Sequence, residues 1–148
     1  MIQSTDRPEN LSSRMSEVSI SRVMAGLPDT IAVLFRRMMR APRRSSLEMR
    51  RRVSRHIVDM ETRAREADYV DVELAQSLAN ECHRLIDTLG PDASEEHYRL
   101  VQAAVLYFVT DEDAEGDASS LIGFDDDRLV VRRVLSELER VGIALPER

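Results

Sequence analysis

Between Phe108 and Val131 the sequence FVTDEDAEGDASSLIGFDDDRLVV carries eight carboxylates (Asp111, Glu112, Asp113, Glu115, Asp117, Asp125, Asp126, Asp127) and one base, Arg128. Carboxylates at this density can hold a divalent cation through oxygen, work as an acid–base pair, or start helices. For a cation, Asp113, Asp117 and Asp126 are the candidate ligands. For acid–base work the rest of a site is missing. His56, His83 and His97 fall on different predicted helices without ligand spacing. There is no Gly-rich phosphate loop, no Ser-His-Asp order and no Cys–His pairing. Cys82, the one cysteine, lies on an apolar helical face and reads as a buried thiol. No catalytic residue and no cofactor is expected.

The metal reading has one further support. Asp111 to Ile122 has acids at several EF-hand positions: Asp111, Asp113, Glu115, Asp117, with Gly116 and Ser119. Position twelve, where a bidentate Glu completes a Ca²⁺ shell, is Ile122. An Asp-rich turn among helices also occurs at the Mg²⁺-diphosphate sites of isoprenoid synthases, but those enzymes are far larger and enclose a deep cavity. Helix initiation accounts for more of the pattern. Exposed N–H groups at a helix start favour Asp by ~0.3–1 kcal/mol. Asp125 is the expected N-cap of the last helix, with Asp126 and Asp127 in its first turn. Gly123 permits a bend, and Phe124 is expected to enter the core. Gly123, Phe124, Asp125 and Asp126 are therefore read as a structural joint.

A second charged feature lies earlier. Nine arginines (36, 37, 40, 43, 44, 50, 51, 52 and 55) crowd into residues 36–55, opposed only by Glu48. All 21 basic residues of the chain are arginine, the side chain best suited to bidentate carboxylate pairing. A solvated helix face, or pairing with the chain's own acidic residues 111–127, accounts for much of this cluster; Arg36, Arg37, Arg40, Arg43, Arg44 and Arg51 are the candidates for contact with a partner. Nucleic acid is disfavoured: the chain is at −6 overall, and the segment's one aromatic, Phe35, belongs to an apolar stripe and cannot stack on bases.

The elements that must position these groups are helices. Ile31, Leu34, Phe35, Met38 and Met39 have helical spacing after Asp29, a plausible N-cap, and Pro42 stops the helix. Ser45 and Glu48 have capping-box spacing before a face of Met49, Val53, His56, Ile57 and Met60, in a helix running to about Asp68. Leu74, Ala75, Leu78, Cys82, Leu85 and Ile86 form the clearest amphipathic stripe, closed by Gly90 and Pro91. Asp92 and Glu95 then open a helix in which only Gln102 is strongly polar from Leu100 to Val109, so this helix should be central. Val130, Val131, Val134, Leu135, Leu138 and Val141 are in register in the last helix, closed by Gly142. Five Gly, five Pro and six aromatics argue against a many-stranded fold. The expectation is an all-α single bundle of about five helices over 29–148, after a mobile N-terminal segment, 1–28, holding at most a short helix.

Tyr107-Phe108, Asp113, Asp117, Gly123-Phe124 and Asp126-Asp127, set between two apolar helices, resemble the YkvA-like family of small bacterial helical domains of unknown function. The match covers residues 101–138, within a YkvA-like core of about 93–142. An apolar, proline-rich linker usual in that family is replaced here by acidic and small residues. The resemblance implies a helical-hairpin core and no assigned catalytic activity.

No segment reaches the ~20 apolar residues of a membrane span, and the N-terminus lacks an apolar signal core. A cytoplasmic location is the expectation. The sequence points to a non-enzymatic regulatory or adaptor protein whose partner is another protein, and it leaves a homo-oligomer open. The alternatives are a divalent-metal-binding domain using residues 111–127, and a nucleic-acid or anionic-surface binder using residues 36–55.

Overall fold

The computed structural model describes residues 17–66, 71–110 and 122–146, the side chains of 66 and 122–124 excepted. Among the described residues there are six helices and no strand: α1 (Ile20–Ala25), α2 (Asp29–Arg40), α3 (Ser46–Glu66), α4 (Val72–Asp87), α5 (Glu95–Val109) and α6 (Ile122–Arg140). The all-α bundle expected from the helical periods is what the chain forms.

α5 is the central helix. Every residue from Leu100 to Phe108 is buried, Gln102 included. A helix apolar all round can be stable only with neighbours on several sides, and α5 packs against α2, α3, α4 and α6. The other helices are amphipathic and turn one stripe inward. α2 buries Ile31, Leu34, Phe35, Met38 and Met39; α4 buries Ala75, Leu78, Ala79, Cys82, Leu85 and Ile86. Met49, Val53, His56 and Met60 are the inner face of α3. Fully burying a Leu, Ile, Phe or Met side chain contributes ~1.5–3 kcal/mol, so these stripes, and not helix propensity, hold the bundle together.

Helix starts follow side-chain caps, with three differences from expectation. Ser45 caps α3 as its spacing predicts, accepting from the Glu48 N–H at 3.1 Å. α4 is capped by Asp71, which accepts from the Leu74 N–H at 3.0 Å. α5 is capped by Ser94, accepting from the His97 N–H at 3.1 Å, and not by Asp92, because Gly90 to Ala93 form a turn. Asp29 is the first residue of α2, after Pro28 at the N-cap, so its charge faces the helix dipole without capping. α6 begins at Ile122, so Asp125 lies inside its first turn and is not the N-cap.

Two chain-end expectations also change. α4 ends with Thr88 as its C-cap, and Gly90 is not in the left-handed region. Gly142 does close α6, at φ 84°. Residues 17–28, expected within a mobile segment, are held on the bundle. Val18, Val23 and Leu27 are buried in the core, and α1 packs on α6. Residues 1–16 lie outside the described residues.

Candidate functional site

The arginines of residues 36–55 are positioned from α5. Gln102, the one strongly polar residue in the apolar run, reaches into the α2–α3 turn. Its Nε2 donates to the carbonyls of Ala41 (3.2 Å) and Pro42 (3.3 Å), and its Oε1 accepts from the Arg44 N–H at 2.9 Å. The Tyr98 hydroxyl donates to the Arg44 carbonyl, and Arg99 Nη1 to the Met39 carbonyl at 3.4 Å. Backbone groups that a turn strips from helical pairing need partners of this kind when they lie against a core. The result is a fixed corner: the last turn of α2 and the first of α3 cannot drift relative to α5. Sequence reading noticed that Gln102 was polar but not that its amide ties down a turn.

Of the nine arginines, three pair within the fold and five are exposed without such a pair among the described residues, while Arg52 is half-buried. Arg43 sits over the Tyr98 ring, 3.8 Å from its centroid, and pairs with Glu95 at 3.3 Å. Arg44 pairs with Glu48 at 3.2 Å, and Arg50 with Asp87. Arg43 and Arg44, expected to meet a partner, are thus occupied within the fold, because Glu95 and Glu48 open helices beside them. Arg36, Arg37, Arg40, Arg51 and Arg55 are exposed, and none pairs with a carboxylate among the described residues. Arg36, Arg37 and Arg40 line an open cleft of about 530 Å³ with Val33 and Ala41. Val33 is 55% exposed. The cleft therefore offers three guanidiniums around a small apolar floor, chemistry suited to a carboxylate-bearing segment.

The joint reading falls mostly outside the described residues. Asp113 and Asp117 lie there, as do the side chains of Gly123 and Phe124. Asp126 is half-buried and Asp127 is buried, and both have polar or electrostatic partners. Among the described residues no group of His, Cys, Asp and Glu has the arrangement to hold a metal ion.

Histidines and cysteine are dispersed, as their separate helices require. His56 is buried edge-on against Phe108, with ring centroids 4.9 Å apart at 74°. His97 is buried, and its Nε2 lies 2.8 Å from Thr88 Oγ1. Thr88 already donates its hydroxyl hydrogen to the Leu85 carbonyl at 2.6 Å, so the His97 Nε2 must carry the proton of that contact. Burial pulls the His97 pKa below its ordinary value. His83 is also lowered, by burial first and by the Arg50 charge second. It lines a shallow cleft with Ser54, Gln76 and Asn80. The nearby Asp87 pairs with Arg50, and the Gln76 amide donates to Glu61 at 2.9 Å. Cys82 is fully buried, and burial pushes its thiol well above the ordinary value, which suppresses nucleophilic thiolate.

One ion cluster was not anticipated. Glu137, buried on α6, accepts from the Ser19 N–H at 2.7 Å and from Arg140 Nη2 at 2.7 Å, with Arg22 Nε at 3.6 Å. The Arg140 hydrogen bond chiefly holds its carboxyl below the usual range. Arg140 also donates to the Glu17 carbonyl, and Arg133 to that of Arg22. This cluster straps α1 onto α6. Its sequence separation of 118 residues leaves no local signal.

Compared with family models, curated proteins and solved structures, the chain matches none. No helix among the described residues is long and apolar enough to cross a membrane.

Proposed function

We propose that this is a non-enzymatic regulatory or adaptor protein of the bacterial cytoplasm that acts through protein–protein contact, using the arginine-bearing surface of α2 and α3. One observation supports this most. The large hydrophobic side chains exposed among the described residues are Val33, Leu47 and Val58, and all three stand beside the arginines that have no carboxylate partner there. Arginine is enriched at interfaces, and an exposed apolar side chain beside it gains from being covered. Packing of α5 on α6 is compatible with a YkvA-like helical hairpin at the centre of the domain.

The test is affinity purification from the cell of origin at low and moderate salt, with the native chain and an Arg36→Glu/Arg37→Glu/Arg40→Glu variant. The reading expects a stoichiometric protein partner that the variant loses without a change in melting. Recovery of nucleic acid, or of nothing, would count against it.

A further inference from the structure

The exposed side of α3 has an order of its own. Leu47 and Val58, each 58% exposed, are eleven residues apart. At 3.6 residues per turn they lie within about 20° of one another around the helix and about 16 Å apart along it. Arg51 and Arg55 fall between them, about 40° and 80° from the Leu47 line, and both are exposed. The core-facing stripe of α3 meets α4 and α5 on the other side. α3 thus carries an outer line of two apolar anchors with two guanidiniums between.

We infer that this line docks an acidic amphipathic helix of another protein, with apolar side chains seated on Leu47 and Val58 and carboxylates paired to Arg51 and Arg55. The inference rests on the protein-contact reading above and names the partner's chemistry. A helix is indicated because α3 presents a convex ridge with collinear anchors three turns apart. A second helix laid at a shallow angle meets such a ridge along its length. An extended segment would bring unpaired backbone groups to a surface that offers none in return. Acidity follows from charge complementarity. Glu48 at the margin is already held by Arg44. A second copy of this chain fits poorly: a two-fold contact through α3 would set arginines against arginines. Nucleic acid fits poorly too, since both ends of the line are apolar.

The experiment places a photo-cross-linking p-benzoylphenylalanine at Leu47 or at Val58 in the full chain, in the cell of origin, with Glu139 on α6 as control position. Cross-linked segments are identified by mass spectrometry, synthesised, and titrated against the full chain. Both positions should join one protein, in one segment of net negative charge and helical apolar spacing. The synthetic segment should bind more weakly as salt rises, and about tenfold or more weakly to Arg51→Glu/Arg55→Glu at unchanged melting. Cross-links to nucleic acid, lipid or a second copy would overturn the inference, as would a basic segment or no excess over the control. If a partner is lost on reversing Arg36, Arg37 and Arg40 yet never cross-links at 47 or 58, this inference falls and the broader reading stands. If no protein partner exists, both fall.

Discussion

Gln102→Met tests whether the α2–α3 corner is held from α5. Methionine keeps the length and approximate volume of the side chain, so packing changes little. What disappears is three hydrogen bonds: two donated to Ala41 and Pro42, one accepted from the Arg44 N–H. A buried group left without its partner costs ~1–3 kcal/mol. Pro42 is exposed and Ala41 and Arg44 are half-buried, so water replaces part of the loss. Methionine also recovers some apolar transfer energy. The net expectation is about 2 kcal/mol, or roughly 6 °C in melting temperature at about 3 °C per kcal/mol for a domain of this size. Urea unfolding followed by circular dichroism should show a lower midpoint with an unchanged slope. Amide exchange at Arg44 should accelerate well beyond that of amides in the middle of α5. A loss below about 0.5 kcal/mol, or an Arg44 amide as protected as before, would refute the corner as a clamp.

Stability should fall as pH drops below about 6.5. His97 and His83 resist protonation in the fold while the unfolded chain takes protons at the ordinary 6.5, so the loss grows down to their lowered folded values. Thermal melts from pH 7.5 to 5 read this slope, and His97→Asn should flatten it. Glu137 acts in a lower window: its depressed carboxyl stabilises the fold above the ordinary 4.5, and that contribution goes as pH falls from there through its folded value. Glu137→Gln should therefore remove stability at pH 7, by about 1–3 kcal/mol, and expose α1 to proteolysis before the rest of the bundle. Gly142→Ala should cost about 1 kcal/mol from backbone strain alone, since φ is 84° and nothing lies within 4 Å of the added methyl. Gly26→Ala instead runs into the Arg133 guanidinium, which must swing away and release the Arg22 carbonyl. A melting drop larger for Gly26→Ala than for Gly142→Ala would show that Arg133 is not free to move.

The sequence made α2 to α6 legible because each turns one periodic stripe inward, and period survives whatever the stripe packs against. Leu100 to Phe108 announced the central helix for the same reason: no polar face was left for solvent. Caps were less legible. Asp92 and Ser94 are equally good caps by type, and the Gly90–Ala93 turn decides between them. Asp125 fails as the cap because α6 begins at Ile122. The short helix α1 was within expectation, but its attachment to α6 had no local signal. Val18, Val23 and Leu27 make too short a stripe to call a core element, and what docks them is Glu137, over a hundred positions away.

The arginine segment shows where charge counting stops being informative. Nine arginines in twenty residues look alike in sequence. Position relative to two helix starts separates them: Glu48 and Glu95 sit in first turns, where a carboxylate favours the helix dipole, and each then takes the arginine that the corner brings near. Arg43 and Arg44 are consumed in this way because they lie in the corner itself. Arg36, Arg37 and Arg40 lie in the second half of α2, and Arg51 and Arg55 ride the outer face of α3, all of them exposed. Among the described residues, Arg36, Arg37 and Arg40 beside Val33, and Arg51 and Arg55 beside Leu47 and Val58, keep no carboxylate partner. An exposed charge alone costs nothing in water and needs no partner. It is the apolar side chains beside those charges, whose burial would contribute ~25 cal/mol per Å², that make an incoming acidic helix favourable.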